Sequence, residues 1–233
     1  QIECANNVLL KQKSEPQGLI KISCPSVMMH FQIRTLLNQF LKDYPKVQIE
    51  LELTSRRVDL MHDDIDLAIR TNFQANEDSS LIVRDVIKTT HCLVASPELL
   101  KGRHIQHFTE LHEFPSVVLG MQKSQYYWHL NNRELGEVID IPLQPRIKSN
   151  DLAGVYYAVC DGFGIADLPY LAVEQDIKQG KLIHVLPEWC SNLGTVQLVY
   201  ASRKGQRLVM EKLIDYLVEG LRDLAKDHSG YAL

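Results

Sequence analysis

The chain has 233 residues, of which 45% are hydrophobic and 23% are charged, as is usual for a globular protein of one large or two small domains. No apolar run approaches the ~18–20 residues that span a bilayer, so we expect no membrane segment. The formal net charge of -4 disfavours a body that holds nucleic acid unaided, and five cysteines without short paired spacings indicate a reducing cytoplasm.

A strand–helix–strand unit opens the chain. Alternating apolar residues predict a strand over residues 19–24, and a three-to-four-residue apolar period predicts a helix that ends at Tyr44, before Pro45. Residues 47–54 alternate again and predict a second, parallel strand. Because the turn Cys24-Pro25-Ser26 joins a strand end to a helix start, the backbone N–H groups there favour an anionic ligand.

The rest of the chain continues to alternate between helical and strand patterns. Residues 55–62 predict a short helix and residues 65–70 a third strand, followed by strand segments at 81–86 and 91–95. Further segments carry the same two periods, namely strands at 116–120, 138–141, 165–168, 182–186 and 196–201, and helices from Leu152, Pro169 and Leu208. The pattern predicts an α/β chain.

Motifs of catalysis are absent from the sequence. There is no nucleophile elbow, phosphate loop or zinc-protease motif, and Gly162-Phe163-Gly164 follows a helix and therefore predicts a turn. His104, His107 and His112 have a loosely metal-like spacing, but a solvated loop explains them better. We therefore expect no enzyme activity, no metal and no cofactor.

A series of short motifs recurs in order along nearly the whole chain. They are Gly18–Ser26, Phe40–Leu51, Val58–Leu60, Asp66–Arg70, Ser79–Leu81, Val94–Pro97, Gly162–Pro169, Gly180–Pro187 and Val199–Tyr200. In this order they resemble the effector-binding domain of bacterial LysR-type transcriptional regulators, over roughly residues 18–222. No single motif is diagnostic; the ordered series carries the resemblance.

The resemblance implies two Rossmann-like subdomains joined by two crossing strands, an α/β fold of the periplasmic-binding-protein-like kind (type 2). The implied divisions are residues 1–17 (end of a linker helix and linker), 18–90 with 198–225 (subdomain I), 91–197 (subdomain II) and 226–233 (C-terminal tail). A winged helix-turn-helix head would precede the linker helix. The start at Gln1, without an initiator methionine, predicts that this head is missing.

The resemblance also implies an effector site in the cleft between the subdomains. The residues that match the family's cleft positions are Cys24, Pro25, Ser26, Thr54, Ser55, Arg70, Thr71, Asn72, Ser149, Asn150, Asp151, Asp167 and Ser202. A small-molecule effector there would change the geometry of a homodimer or homotetramer and so control DNA binding by the head. The alternative is a free-standing solute-binding protein of a transporter, with the same fold.

Three of these residues have a second interpretation, and a fourth, Asp167, departs from the family pattern. Ser26 and Asn150 suit ordinary helix capping, with or without a ligand. Cys24 is a candidate redox sensor, because a thiol beside a helix start can have a lowered pKa, or else a small buried hydrophobe. Asp167 departs from the apolar or neutral residue usual in the family, so its carboxylate would repel an anionic effector or attract a cationic one.

Overall fold

The computed structural model describes residues 15–72, 81–120, 126–132, 134–201 and 208–226, without the side chains of residues 192 and 193. The expected linker helix at residues 1–13 and most of the C-terminal tail lie outside this part of the chain. Two compact units are present, and the chain passes between them at Ile87/Lys88 and again at Gly194/Thr195. We call the unit that contains the chain before Lys88 and after Gly194 unit 1, and the unit between these points unit 2.

Unit 1 is built on a sheet whose centre is parallel. Strands β1 (Gly18–Cys24), β2 (Val47–Leu53) and β3 (Leu67–Asn72) lie in the order β3–β1–β2, and both pairings are parallel. The opening strand–helix–strand prediction is confirmed by this pairing. Strand β11 (Trp189–Ala201) runs antiparallel to β3 and is followed in the sheet by β4 (Leu81–Ala95).

One helical run follows β1 and covers the sheet of unit 1. It starts as α1 (Ser26–Met28), passes through a π-helical turn (Met29–Ile33) and continues as α2 (Arg34–Asp43). Ile20, Ile22 and Phe40 are fully buried, as the apolar periods of the sequence predict. The long C-terminal helix α6 (Leu208–Lys226) packs against α2, with the rings of Phe40 and Tyr216 5.4 Å apart.

Strands β4 and β11 each run through both units without a break. The strand segments predicted at 81–86 and 91–95 are both confirmed, and the structure joins them in one strand of 15 residues. The polar residues between the two apolar segments, Lys88 to His91, made the pattern look interrupted. A strand that leaves one core and enters another loses its apolar alternation between them without losing its extended backbone.

Unit 2 has its own strands around the second half of β4. Strand β9 (Ala166–Pro169) and strand β10 (Ile183–Val185) both pair antiparallel with β4, and β5 (Ser116–Leu119) pairs parallel with β8 (Pro145–Ser149). A single bridge from Ser116 to Ile165 joins the two groups. The hairpin of β6 (Tyr127–Asn132) and β7 (Glu137–Pro142) pairs with the start of β11.

Two apolar clusters fill unit 2. Helices α4 (Leu152–Cys160) and α5 (Tyr170–Lys178) cover one cluster, in which Val94, Val155 and Val173 are fully buried. The other cluster includes Trp128, Leu130 and Trp189 and is bordered by the short helix α3 (Pro97–Leu100) and a 3-10 helix, Phe108–Glu113. His107 caps that 3-10 helix together with Glu110, which gives one of the three loop histidines a structural role.

The helix expected at residues 55–62 was a wrong prediction. This segment forms a bend and turns, held by the Asp59 and Asp63 carboxylates, which accept backbone N–H groups of the segment. Leu60 and Ile65 are buried against the sheet near Ala68 and Val199. The apolar spacing was real, but aspartate side chains compete for backbone donors and favour turns over helix.

Candidate functional site

The carboxyl ends of the three parallel strands of unit 1 meet at one edge, which we call the unit 1 edge (residues 24–26, 54–55 and 70–72). The backbone N–H of Thr54 donates to the carbonyl oxygen of Cys24 at 3.0 Å, so the ends of β1 and β2 are adjacent. The hydroxyl of Thr71 contacts the sulfur of Met28 at 3.7 Å, which brings the end of β3 to the helix start. The structure therefore places the eight sequence candidates of unit 1 in segments at or near the ends of neighbouring strands.

Helix α1 begins in a way that differs from ordinary side-chain capping. Pro25 occupies the N-cap position, Ser26 is the first helical residue, and the carbonyl oxygen of Pro25 accepts the N–H of Met29 at 3.0 Å. Proline carries no side-chain acceptor, so the N–H groups of the first turn are not satisfied by a cap side chain as they are in most helices. The start of α1, at Ser26, is partly exposed.

Cys24 lies inside unit 1. Its side chain is fully buried, its sulfur donates to the carbonyl oxygen of Pro25 at 3.4 Å, and burial raises its pKa to about 12. A thiol with that pKa carries almost no thiolate near neutral pH, and the thiolate is the reactive form. The geometry favours the small buried hydrophobe over the redox sensor.

The loop after β2 carries two hydroxyl groups in different settings. The Thr54 hydroxyl accepts the backbone N–H of Arg56 at 3.2 Å, whereas Ser55 is exposed. Arg56 forms ion pairs with Asp63 at 2.7 Å and Glu52 at 3.0 Å. The arginine next to the edge is thus engaged in surface ion pairs, and Ser55 is the more accessible hydroxyl of the loop.

Arg70 lies two residues before the end of β3 and is partly exposed. Its Nε atom donates to Oε1 of Gln197 at 3.3 Å, and Gln197 faces it directly in the β3–β11 register. Nε2 of Gln197 donates in turn to a carboxylate oxygen of Asp85 at 2.8 Å. The sequence singled out Arg70 but missed Gln197 and Asp85. The only sequence feature that could have identified Gln197 is that it is a single amide within the apolar segment Val196–Val199.

In unit 2 the predicted residue Ser149 ends strand β8, and Asn150 and Asp151 follow it. The Ser149 hydroxyl accepts the N–H of Asp151 at 3.0 Å, and the Asp151 carboxylate accepts the N–H of Gly154 at 3.2 Å. Asp151 is therefore the N-cap of α4, and Asn150 is an exposed residue before the cap. The expectation that Asn150 caps this helix was wrong by one residue.

Asp167 lies within a polar cluster of unit 2. Its Oδ2 atom accepts the hydroxyl of Ser191 at 2.5 Å and lies 3.2 Å from Nδ1 of His91. The side chains of His91 and Asp167 are only 12% and 13% exposed, and Oδ1 of Asp167 is buried without a hydrogen-bond partner among the described residues. Burial, and secondly the charge of Asp167, raises the pKa of the neighbouring Cys92 thiol. The carboxylate is thus held inside unit 2.

The remaining sequence candidate, Ser202, lies outside the described residues. His91 and Ser191 were not identified from the sequence, since a histidine and a serine in strands have many ordinary roles. None of the helices in the described ranges combines the length and the hydrophobicity that crossing a bilayer requires.

Comparison with known proteins identifies the class of protein to which this chain belongs. The family model of the LysR substrate binding domain matches residues 13–222, so the chain belongs to that family. The regulatory domain of AphB from Vibrio vulnificus is 28% identical with a TM-score of 0.73, covering 87% of this chain and 98% of that one. The regulatory domain of CrgA from Neisseria meningitidis is 26% identical with a TM-score of 0.76, covering 88% of this chain and 100% of that one.

A longer curated relative supports the same class of protein. The HTH-type transcriptional regulator PtxR of Pseudomonas aeruginosa is 26% identical over 210 residues, which cover 90% of this chain and 66% of PtxR. The chain thus spans just under two thirds of that relative. The fold is that of LysR-type regulatory domains, like the periplasmic binding proteins, and the relatives favour a ligand-sensing regulatory domain over the solute-binding protein of a transporter.

Proposed function

We propose that this chain is the part of a LysR-type transcriptional regulator that senses a small effector, and that the effector contacts the unit 1 edge. The observation that carries the proposal is the convergence of the β1, β2 and β3 ends on the start of α1. Ligands of open α/β sheets bind outside the carboxyl ends of the strands, where backbone donors and loop side chains collect.

The chemistry of the edge suits a small polar molecule with a negative group. The first backbone N–H groups of the helical run are donors, and the hydroxyls of Ser26 and Ser55 both donate and accept. Arg70 adds a permanent positive charge in a planar fork that matches a carboxylate. Ser149, Asn150 and Asp151 remain a further prediction for contacts from unit 2.

In the full regulator we propose that effector binding changes the arrangement of a homo-oligomer and thereby the DNA binding of a helix-turn-helix domain outside this chain. The regulator would act in the cytoplasm and would not alter its ligand covalently. The family of regulators supports both points. A ligand acts on such an equilibrium only through different affinities for the two states.

Isothermal titration calorimetry tests the binding site. Acetate, succinate, benzoate and their amides serve as probes, with wild type compared to Ser26→Ala and Arg70→Ala. We expect Arg70→Ala to weaken the tightest probe by about tenfold and Ser26→Ala by several-fold, as loss of a hydrogen bond to a charged group implies.

Arg57→Ala is the matched control, since it removes an exposed arginine from the same unit. It should leave the affinity unchanged. Equal affinity of wild type, Ser26→Ala and Arg70→Ala for every probe that binds would place the effector elsewhere.

A further inference from the structure

Gln197 is a buried amide in the middle of a crossing strand. It is 5% exposed, and Val196, Leu198 and Val199 beside it are buried apolar residues. A polar side chain at such a position is costly unless its donors and acceptor are satisfied. An apolar residue would fill the same space without that requirement, so the presence of glutamine calls for an explanation other than packing.

The two hydrogen bonds of Gln197 fix the direction of its amide. An arginine only donates and a carboxylate only accepts, so Oε1 must face Arg70 Nε, and Nε2 must face Asp85. The observed distances of 3.3 Å and 2.8 Å have this arrangement. The neutral amide therefore lies between the cation and the anion and is oriented by both.

This chain of hydrogen bonds ends at the unit 1 edge. In the register of β3 and β11, Arg70 faces Gln197, Thr71 faces Val196 and Asn72 faces Thr195. Asp85, on β4, is exposed, whereas Arg70, two residues before the end of β3, is partly exposed. Gln197 thus holds the Nε side of the guanidinium against the sheet, at a fixed distance from the strand ends.

We propose that Gln197 is a positioning residue that orients the Arg70 guanidinium toward a carboxylate group of the effector, and that it makes the unit 1 edge selective for small carboxylates. The inference rests on the proposed function of this edge. A carboxylate at position 197 would pair with Arg70 and cancel the charge that the ligand needs, whereas the amide orients Arg70 without neutralising it. Selectivity follows because a guanidinium held in one orientation recognises a planar carboxylate better than a mobile guanidinium does.

Two substitutions at position 197 separate orientation from charge. Gln197→Met keeps the length of the side chain and removes both hydrogen bonds, so it should lower carboxylate affinity about fivefold to tenfold and leave amide affinity unchanged. Gln197→Glu keeps an acceptor for Arg70 but adds a charge, so it should abolish the preference for carboxylates altogether. Asp85→Asn retains an acceptor for Gln197 and should preserve the preference.

The readout is the ratio of the dissociation constants of a carboxylate and its amide, measured by calorimetry on the 233-residue chain. Succinate with succinamide and benzoate with benzamide are the probes, and inorganic phosphate is the competing anion. A purely structural role of Gln197 would weaken both members of a pair equally and leave the ratio unchanged. Gln48→Met, the same change at an exposed position of β2, is the matched control and should behave as wild type.

Each outcome decides the proposal. A wild-type ratio near one, tighter binding of phosphate than of any carboxylate, or a ratio unchanged in Gln197→Met and Gln197→Glu would overturn it. If Arg70→Ala weakens binding while both Gln197 variants keep the wild-type ratio, only the inference about Gln197 fails. If Arg70→Ala also has no effect, the proposed function of the unit 1 edge fails with it.

Discussion

The two units use polar residues on the same two strands in opposite ways. In unit 1, Gln197 of β11 and Asp85 of β4 connect to Arg70, which is partly exposed near the strand ends. In unit 2, Ser191 of β11 and His91 of β4 surround the carboxylate of Asp167, and all three side chains are largely buried. One cluster contains a partly exposed guanidinium, and the other encloses a carboxylate.

With the effector at the unit 1 edge as proposed, we expect this difference to separate binding from stability. Substitutions in the unit 1 cluster should alter ligand selectivity with modest effects on folding. Substitutions in unit 2 should alter the free energy of unfolding, because a buried polar group that loses its partner keeps its desolvation cost. Three predictions test the unit 2 side of the comparison.

The largest effect is expected for Gly164→Ala in unit 2. A Cβ at this position would lie 2.7 Å from the carbonyl oxygen of Pro115, in the backbone contact that brings β9 and Asp167 beside β5. Backbone cannot move aside as a side-chain tip can. We expect a loss of about 3 kcal/mol in the free energy of unfolding, measured by urea denaturation.

Gly220→Ala is its counterpart in unit 1. The atoms nearest to the added Cβ would be those of the Leu36 side chain, first of all one of its methyl groups. That methyl group can shift, and alanine in a helix is about 1 kcal/mol better than glycine, which offsets part of the cost. An equal loss of stability in the two variants would contradict the packing of Gly164 described above.

A smaller loss is expected for Asp167→Leu. The change leaves the Ser191 hydroxyl and the His91 ring without the carboxylate, and should cost about 2 kcal/mol of unfolding free energy. Adding Ser191→Ala should recover about 1 kcal/mol, since the orphaned hydroxyl is removed. Both are measured in a double-mutant cycle by denaturation.

Asp85→Leu is the matched change in unit 1. It deprives only the Nε2 group of Gln197 of its acceptor and should cost about 1 kcal/mol. Retention of full stability in Asp167→Leu, together with a change in ligand affinity, would assign Asp167 to binding and would remove the contrast between the units.

The smallest effect concerns pH. His184 on β10 is partly buried, and burial lowers its pKa from 6.5 to about 4. Between these values the unfolded chain binds a proton that the folded chain does not, so stability falls as pH decreases from 6.5 toward 4. Allowing for partial exposure, we expect about 1–2 kcal/mol of this loss to disappear in His184→Phe.

The measurement is the unfolding free energy of wild type and His184→Phe at pH 7, 6, 5 and 4. His62→Gln, which removes an exposed histidine of unit 1, should keep the wild-type slope. A parallel pH dependence of wild type and His184→Phe would show that His184 titrates in the folded state as it does in the unfolded chain.

Part of the candidate site was accessible from sequence because it follows from local periodicity. Alternation over residues 19–24 and 47–54 implied parallel strands, and parallel strands bring their carboxyl ends to one edge. Ser26 was placed at that edge for this reason, whereas Ser55 and Arg70 were assigned to it through the resemblance to the family. Gln197 was not found, because it is 127 residues from Arg70 in the chain and only the β3–β11 register makes them neighbours.

The sequence by itself determined the family, the opening strand–helix–strand unit and the amphipathic helices, since each depends on patterns a few residues long or on an ordered series of motifs. Tertiary structure alone decided that residues 81–95 form one strand, that Cys24 is buried, that Asp151 rather than Asn150 caps α4, and which partner each polar strand residue meets. Burial and cross-strand pairing depend on residues distant in the chain, and the environment they create sets whether a carboxylate such as Asp167 is enclosed or a guanidinium such as Arg70 stays partly exposed.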